Sequence, residues 1–129
     1  MVGIIVISES RACVEMLKTV QTIVGKKATT GIVPLVIKSN FTKRTLTSKI
    51  NQIIKKIHAD EGVLIMNEIY GSTQSNVCLD FLHADQVEML CGYNLPILLK
   101  AATLHDHAAL GDLVTQLQVT GKKYIQGFK

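Results

Sequence analysis

The stretch Val2-Gly-Ile-Ile-Val-Ile7 decides the fold class of this chain. It is short, almost wholly apolar and rich in β-branched residues, which is typical of a strand buried on both faces of a sheet. Ser8 or Ser10 can cap a following helix, and Gly25 can end it. That helix is predicted by apolar residues at helical spacing: Cys13, Met16, Leu17, Val20, Ile23 and Val24.

A second strand and helix follow. The apolar run Ile32–Ile37 is broken only by Pro34, which cannot donate a ladder hydrogen bond. This strand is therefore expected at an edge of the sheet. The next helix has an apolar stripe at Leu46, Ile50, Ile53, Ile54 and Ile57.

Two more strands are predicted, at Gly62–Met66 and Val87–Cys91. The first leads through a polar loop into a short helix that carries Val77, Cys78, Phe81 and Leu82. The second leads through the turn Gly92–Pro96, with Pro96 as the first residue of a helix. A last helix is expected to start with Asp106 as its cap and to end at Gly121.

This alternation predicts an α/β fold, a doubly wound three-layer sandwich with four mostly parallel strands. The tail Lys122–Lys129 contains Tyr124, Ile125 and Phe128 and is a candidate fifth strand. Chemistry in such sheets takes place beyond the carboxyl ends of the strands. The candidate loops are therefore Ser8–Arg11, Lys38–Thr42, Asn67–Ser75 and Gly92–Pro96.

Length and composition limit the class of protein. The chain has 129 residues and a mass of 14.1 kDa, so residues 1–129 are expected to form one domain. With 47% apolar and 19% charged residues, the chain is too apolar for intrinsic disorder. No apolar run approaches the ~20 residues of a membrane span, and no signal peptide is expected. Three cysteines without CxxC spacing favour free thiols, no metal site and the reducing cytoplasm.

Charge is distributed unevenly along the chain. Residues 16–59 carry nine basic and no acidic residues, whereas residues 60–112 carry eight acidic residues and one base, Lys100. The pattern indicates either a basic face for an acidic partner or simply solvated helix surfaces. Nucleic acid is a poor candidate, because the basic segment has one aromatic residue, Phe41, and one arginine, Arg44.

Two further segments are candidates for chemistry. Asn67–Asn76 places small hydroxyl residues at a helix start, which predicts either an anion site or only a capped turn. His105-Asp-His107 has metal-ligand residue types, but we interpret these histidines as exposed, because a spacing of two on a loop is a weak metal signal. His58 and His83 are each expected at the end of a helix.

Four motifs together resemble a known family. They are Gly3-Ile-Ile-Val-Ile-Ser-Glu-Ser-Arg-Ala12, Glu61-Gly-Val-Leu-Ile-Met-Asn-Glu-Ile-Tyr-Gly-Ser-Thr-Gln-Ser-Asn76, Gly92-Tyr-Asn-Leu-Pro-Ile-Leu-Leu99 and Thr120-Gly-Lys-Lys123. In order and spacing they resemble the enzyme IIA components of the mannose/fructose class of the bacterial phosphoenolpyruvate:sugar phosphotransferase system. The resemblance covers essentially the whole chain.

The resemblance implies a homodimer, often with an exchanged C-terminal strand, and a phosphoryl relay without a cofactor. A histidine after the first strand takes phosphate from the histidine-containing phosphocarrier protein and passes it to a IIB partner. Glu9 occupies that histidine's position, and Glu68 that of the acid that orients it. By the same resemblance, the candidate binding residues are Ser8, Ser10, Tyr70, Gly71, Ser72 and Thr73.

Glu9 leaves three hypotheses open. The first is a regulatory or partner-binding IIA-like protein that carries no phosphate. The second is an active relay component with an unusual acceptor, since carboxylates do act as nucleophiles. A variant of this hypothesis is an engineered phosphomimetic of such a component. The third is a small-anion or sugar-phosphate sensor. We expect the Glu9 carboxylate either to turn into the N–H groups near Ser72 and Thr73 or to share a proton with Glu68.

Overall fold

The computed structural model describes residues 1–83 and 86–129. Strands and helices alternate along the chain as the apolar patterns predict. The strands and α-helices are β1 Gly3–Ser8, α1 Ala12–Val24, β2 Ile32–Val36, α2 Lys43–Lys56, β3 Val63–Asn67, α3 Thr73–Cys78, β4 Val87–Cys91, α4 Leu95–Leu104 and α5 Leu110–Lys123. Two short 3-10 helices are also present, at Lys27–Thr29 and Leu79–Phe81.

The four strands form one parallel sheet in the order β2-β1-β3-β4. β1 and β3 are central and buried along their whole length, as their continuous apolar runs predict. β2 lies at an edge, where Pro34 is paired opposite Val6 and exposed to solvent. Because β1 connects to β2 on one side and β3 lies on the other, the winding reverses between β1 and β3.

Helices cover both faces of the sheet, which confirms the α/β three-layer fold. Successive residues of β1 point to opposite faces, so that Ile4 and Val6 pack under α1, α4 and α5 while Ile5 and Ile7 pack under α2 and α3. Each face buries its own apolar cluster. The helix that directly follows each strand runs back from the carboxyl edge of the sheet toward its amino edge, and α5, which follows α4, runs the opposite way.

The last helix departs from prediction at both ends. α5 begins at Leu110 after Ala109, and Asp106 instead binds the neighbouring His107. Gly121 does not end the helix; the residue there is glycine because a Cβ atom would lie 2.5 Å from Cδ1 of Ile97. α5 continues to Lys123, and residues 125–129 lie in no strand of this chain. Strand exchange in a dimer stays a prediction.

Two smaller predictions also differ. Asn94 caps α4, accepting a hydrogen bond from the Ile97 N–H at 3.0 Å, so Pro96 is its second residue. α3 ends at Cys78 and gives way to a 3-10 turn rather than continuing as one helix.

Candidate functional site

The loops that follow β1, β2 and β3 meet at the carboxyl edge of the sheet. Between them lies an open cleft of about 520 Å³. It is lined by Glu9, Ser10, Lys38, Ser39, Asn40 and Glu68. The cleft is at the point where the winding reverses, which is where parallel sheets of this type place their ligands.

The turn from β1 into α1 is fixed by two serines. The buried Ser8 hydroxyl accepts a hydrogen bond from the Cys13 N–H at 3.0 Å and donates to the carbonyl of Ser10. The Ser10 hydroxyl accepts from the Ala12 N–H at 3.3 Å. Both hydroxyls therefore bind the first turn of α1, although the residue at its N-cap position is Arg11 and neither serine occupies that position as predicted.

Glu9 lies at the tip of this turn. Its main-chain N–H donates a hydrogen bond to Oε1 of Glu68 at 2.9 Å. The side chain of Glu9 is exposed, and no residue in the described part of the chain donates a hydrogen bond to its carboxylate. The prediction that this carboxylate turns into the N–H groups near Ser72 and Thr73, or shares a proton with Glu68, is therefore wrong.

The loop between β3 and α3 satisfies much of its own hydrogen bonding. The Ser72 hydroxyl caps α3 by accepting from the Ser75 N–H at 3.1 Å. The Ser75 hydroxyl accepts from the Gly71 N–H at 3.0 Å and donates to the Ser72 carbonyl at 2.9 Å. Gly71 has φ 86°, which a residue with a side chain adopts rarely. Of the two predicted interpretations, these bonds favour the capped turn.

Two apolar side chains stand out beside Glu68. Ile69 is 64% exposed and Tyr70 is 72% exposed, although both types are usually buried. Thr73 at the start of α3 is exposed as well. The candidate binding residues thus fall into two groups. Ser8, Ser10, Gly71 and Ser72 make hydrogen bonds within their own turns, whereas Tyr70 and Thr73 are exposed.

Sequence reasoning missed Tyr93, which lies in the predicted loop Gly92–Pro96. Its hydroxyl donates a hydrogen bond to the carbonyl oxygen of Ile7 at 3.0 Å and so stabilises the end of β1. Burial raises the pKa of Tyr93 strongly, and the nearby Glu68 charge adds to the effect. The loop after β2 was predicted as a candidate, but its cleft-lining residues Lys38, Ser39 and Asn40 were not singled out.

A buried polar cluster lies below Glu68. Asn67 is fully buried, its Oδ1 faces the Cys78 sulfur at 3.9 Å, and its Nδ2 has no hydrogen-bond partner among residues 1–83 and 86–129. Burial raises the pKa of the Cys78 thiol to about 11. The thiol is therefore unreactive at neutral pH, because the thiolate is the nucleophile.

All four histidines lie at the opposite, amino edge of the sheet. His58 follows the end of α2, His83 pairs with Val87 at the start of β4, and His105 and His107 lie between α4 and α5. None lines the cleft beside Glu9.

His105 corrects the prediction that these histidines are exposed. It is 2% exposed, and its two ring nitrogens lie 2.9 Å from the carbonyl oxygens of Val2 and Ala28. Because each ring nitrogen faces a carbonyl oxygen in the protein interior, the ring is unavailable to a metal. His107 is exposed, as predicted, and binds Asp106 at 2.6 Å.

None of the helices in the described residues combines the length and the apolar character needed to cross a bilayer.

Comparisons with known proteins agree with the fold. A family model described as "PTS system fructose IIA component" (EIIA-man) matches residues 3–118. The PTS system fructose-specific EIIA component of Bacillus subtilis is 37% identical over 84 residues, covering 64% of this chain and 58% of that protein. The PTS system mannose-specific EIIAB component of Escherichia coli K12 is 24% identical over 130 residues, covering 99% of this chain and 40% of that protein.

Among solved structures, the phosphotransferase system component EIIA from Streptococcus agalactiae has a TM-score of 0.84 at 19% identity. The alignment covers 99% of this chain and 98% of that one. The chain spans about half the length of the curated relatives that it matches. Because the family model covers nearly all of its sequence, the chain belongs to the EIIA-man family of phosphotransferase-system IIA components.

Proposed function

We propose that this chain is a regulatory, partner-binding IIA protein of the phosphotransferase system that does not carry phosphate. The observation that carries the proposal is the composition of the cleft. The position expected for a phospho-accepting histidine is held by Glu9, and all four histidines lie at the opposite edge of the sheet.

The chemistry of the cleft also disfavours phosphate transfer. Glu9 and Glu68 place two carboxylates in the same cleft, and Lys38 is the one cation among the described residues that line it. An incoming phosphoryl group would meet net negative charge, which raises the cost of bringing it in. Phosphate on Glu9 would be an acyl phosphate, whereas the relay between IIA and its partners depends on phosphohistidine.

The exposed side chains beside the cleft support a binding role. Ile69 and Tyr70 project next to Glu68, where a partner that approaches the cleft would cover them. Aromatic side chains of this kind are frequent anchors of protein interfaces. The partners we propose are the histidine-containing phosphocarrier protein and a IIB component, with the interaction taking place in the cytoplasm.

We further propose that residues 1–129 act as one domain and that the chain forms a homodimer. Tyr124, Ile125 and Phe128 are 58%, 76% and 89% exposed in the single chain. A second subunit that covered them would remove apolar surface from water, which favours association.

The test is incubation with phosphorylated phosphocarrier protein, followed by intact-mass measurement. We expect no phosphate on the native chain and partial phosphorylation of the Glu9→His variant. Hydroxylamine converts an acyl phosphate on Glu9 to a hydroxamate and releases inorganic phosphate, whereas a phosphohistidine has no acyl carbon and gives no hydroxamate. A stable phosphate mapped to any residue of the native chain would contradict the proposal and favour an active relay.

A further inference from the structure

We propose that the solvent-facing side of α2 is a docking surface for an acidic protein segment. This basic face consists of five exposed cations: Lys43, Arg44, Lys49, Lys55 and Lys56. It lies on the outer side of the α2 and α3 layer, apart from the cleft. The inference therefore does not depend on the function proposed for the cleft.

Acidic side chains neutralise little of the positive charge on the basic face. Lys43 pairs with Asp80 at 2.8 Å, and no ion pair in the described part of the chain involves the other four cations. Residues 16–59 contribute no acidic side chain that could neutralise them. A cluster of one sign without counter-charges produces a positive field that attracts an oppositely charged surface.

Two of these cations occupy an unfavourable place in the helix. Lys43 and Arg44 form the first residues of α2, and its first turn contains no acidic side chain. The helix dipole is positive at this end, so cations are disfavoured there and Asp or Glu is preferred. Acidic side chains at these two positions would be solvated equally well. Binding of an acidic partner, by contrast, needs cations there.

The shape of the face suits an elongated ligand. A shallow groove of about 770 Å³ runs along α2, with Lys43 and Arg44 at one end and Lys55 at the other. Ser48 and Asn51 lie between Arg44 and Lys55 at helical spacing, so hydroxyl and amide donors join the cations on one side. At 1.5 Å per residue, the groove extends for roughly 16 Å, which an extended segment of about five residues spans.

Other classes of partner fit this face less well. No large apolar side chain of α2 is exposed, so the face has nothing to insert into a membrane. Phe41, the aromatic residue nearest to it in sequence, packs into the core, and no base-stacking platform results. A carboxylate-bearing protein segment needs only cations and hydrogen-bond donors, which are the groups present.

The test measures fluorescence anisotropy of a fluorescein-labelled oligo-glutamate peptide at low salt with three full-length proteins. These are the native chain, the Arg44→Glu/Lys55→Glu variant and the charge-matched control Lys100→Glu/Lys122→Glu. The control cations are exposed on α4 and α5, on the opposite layer. Circular dichroism melts verify that all three proteins are folded.

We expect the native chain to bind the peptide and the α2 variant to bind about tenfold more weakly, with less than about threefold loss in the control. No detectable binding by the native chain, or equal loss in both variants, would overturn the proposal. So would tighter binding of a DNA duplex or of phosphatidylserine vesicles than of the peptide. Self-association that only the α2 variant abolishes would identify a second copy of the chain as the occupant instead.

Discussion

The main-chain N–H of Glu9 donates a hydrogen bond to Oε1 of Glu68 at 2.9 Å, joining residues 59 positions apart in sequence. Because the donor is a backbone group, Glu68 is held in place whatever side chain occupies position 9. The acid of the cleft is thus already oriented beside an exposed side chain. The position of Glu68 therefore does not depend on which side chain stands at position 9.

This independence predicts the behaviour of Glu9→His variants. The single variant should accept phosphate from the phosphorylated carrier protein, because Glu68 is already placed beside position 9. Adding Glu68→Ala should slow acceptance by about 10²-fold, since a misplaced acceptor costs roughly that much. Adding Glu68→Gln, which keeps an oxygen for the Glu9-position N–H, should slow it less. Equal rates in all three backgrounds, measured by intact mass over time, would show that Glu68 has no orienting role.

Ile69 and Tyr70 are expected to anchor a partner. Replacing Tyr70 by Ala should weaken binding of the phosphocarrier or IIB protein by about tenfold or more, as truncation of an interface aromatic commonly does. The melting temperature should be unchanged, because the side chain is exposed. Calorimetric titration measures the affinity, and Val119→Ala, an exposed apolar position on α5, is the control. Unchanged affinity in Tyr70→Ala would exclude this surface from the interface.

The orphaned amide of Asn67 should cost stability. Replacing Asn67 by Val removes a buried donor that no described residue pairs with, so the free energy of unfolding should rise by about 1 kcal/mol. Asn67→Asp, of nearly the same shape, should instead lower it by several kcal/mol through a buried charge. Urea denaturation measures both. A destabilised Asn67→Val variant would mean that the amide is satisfied in solution.

The buried thiol of Cys78 predicts an alkaline loss of stability. Burial raises its pKa from 9.0 to about 11, so the protonated thiol is favoured in the folded state. Stability is then complete below pH 9 and falls as the pH rises toward 11, where the unfolded thiol ionises first. Cys78→Ala should show a shallower decline over this range in pH-dependent urea melts. Parallel curves would indicate that the thiol ionises freely in the native protein.

The apolar tail predicts self-association. Light scattering at tens of micromolar should give a dimer for the native chain, because Ile125 and Phe128 are too exposed to be favourable in a monomer. Deleting Lys123–Lys129 should shift the protein to the monomer, whereas Gln126→Ser should not. A native monomer would remove the basis for an exchanged strand.

Much of the fold follows from the sequence because its signals are local. Continuous apolar runs predict β1 and β3 as central strands, and Pro34 alone assigns β2 to an edge. Gly25 ends α1 as expected, and the hydroxyls of Ser8 and Ser10 bind its first turn, since such bonds join groups only a few residues apart. The loops of the cleft were predicted for the same reason, because each directly follows a strand.

Other features were decided by contacts between distant residues. Asp106 is a good capping residue, yet α5 starts later. Gly121 lies inside α5, and the glycine at this position is explained by its tertiary neighbour Ile97, which leaves no room for a side chain. His105 is buried because its ring meets the carbonyl of Val2, 103 residues away.

The sequence by itself determined the order of strands and helices and the position of Glu9 directly after the first strand. Both follow from periodicity and capping, which act within a few residues. Only the tertiary structure decided that Glu68 binds the backbone of Glu9, that the Glu9 side chain faces solvent, and that every histidine lies at the far edge. Those relationships depend on how the parallel strands align and which side chains then meet, and neither is encoded at short range.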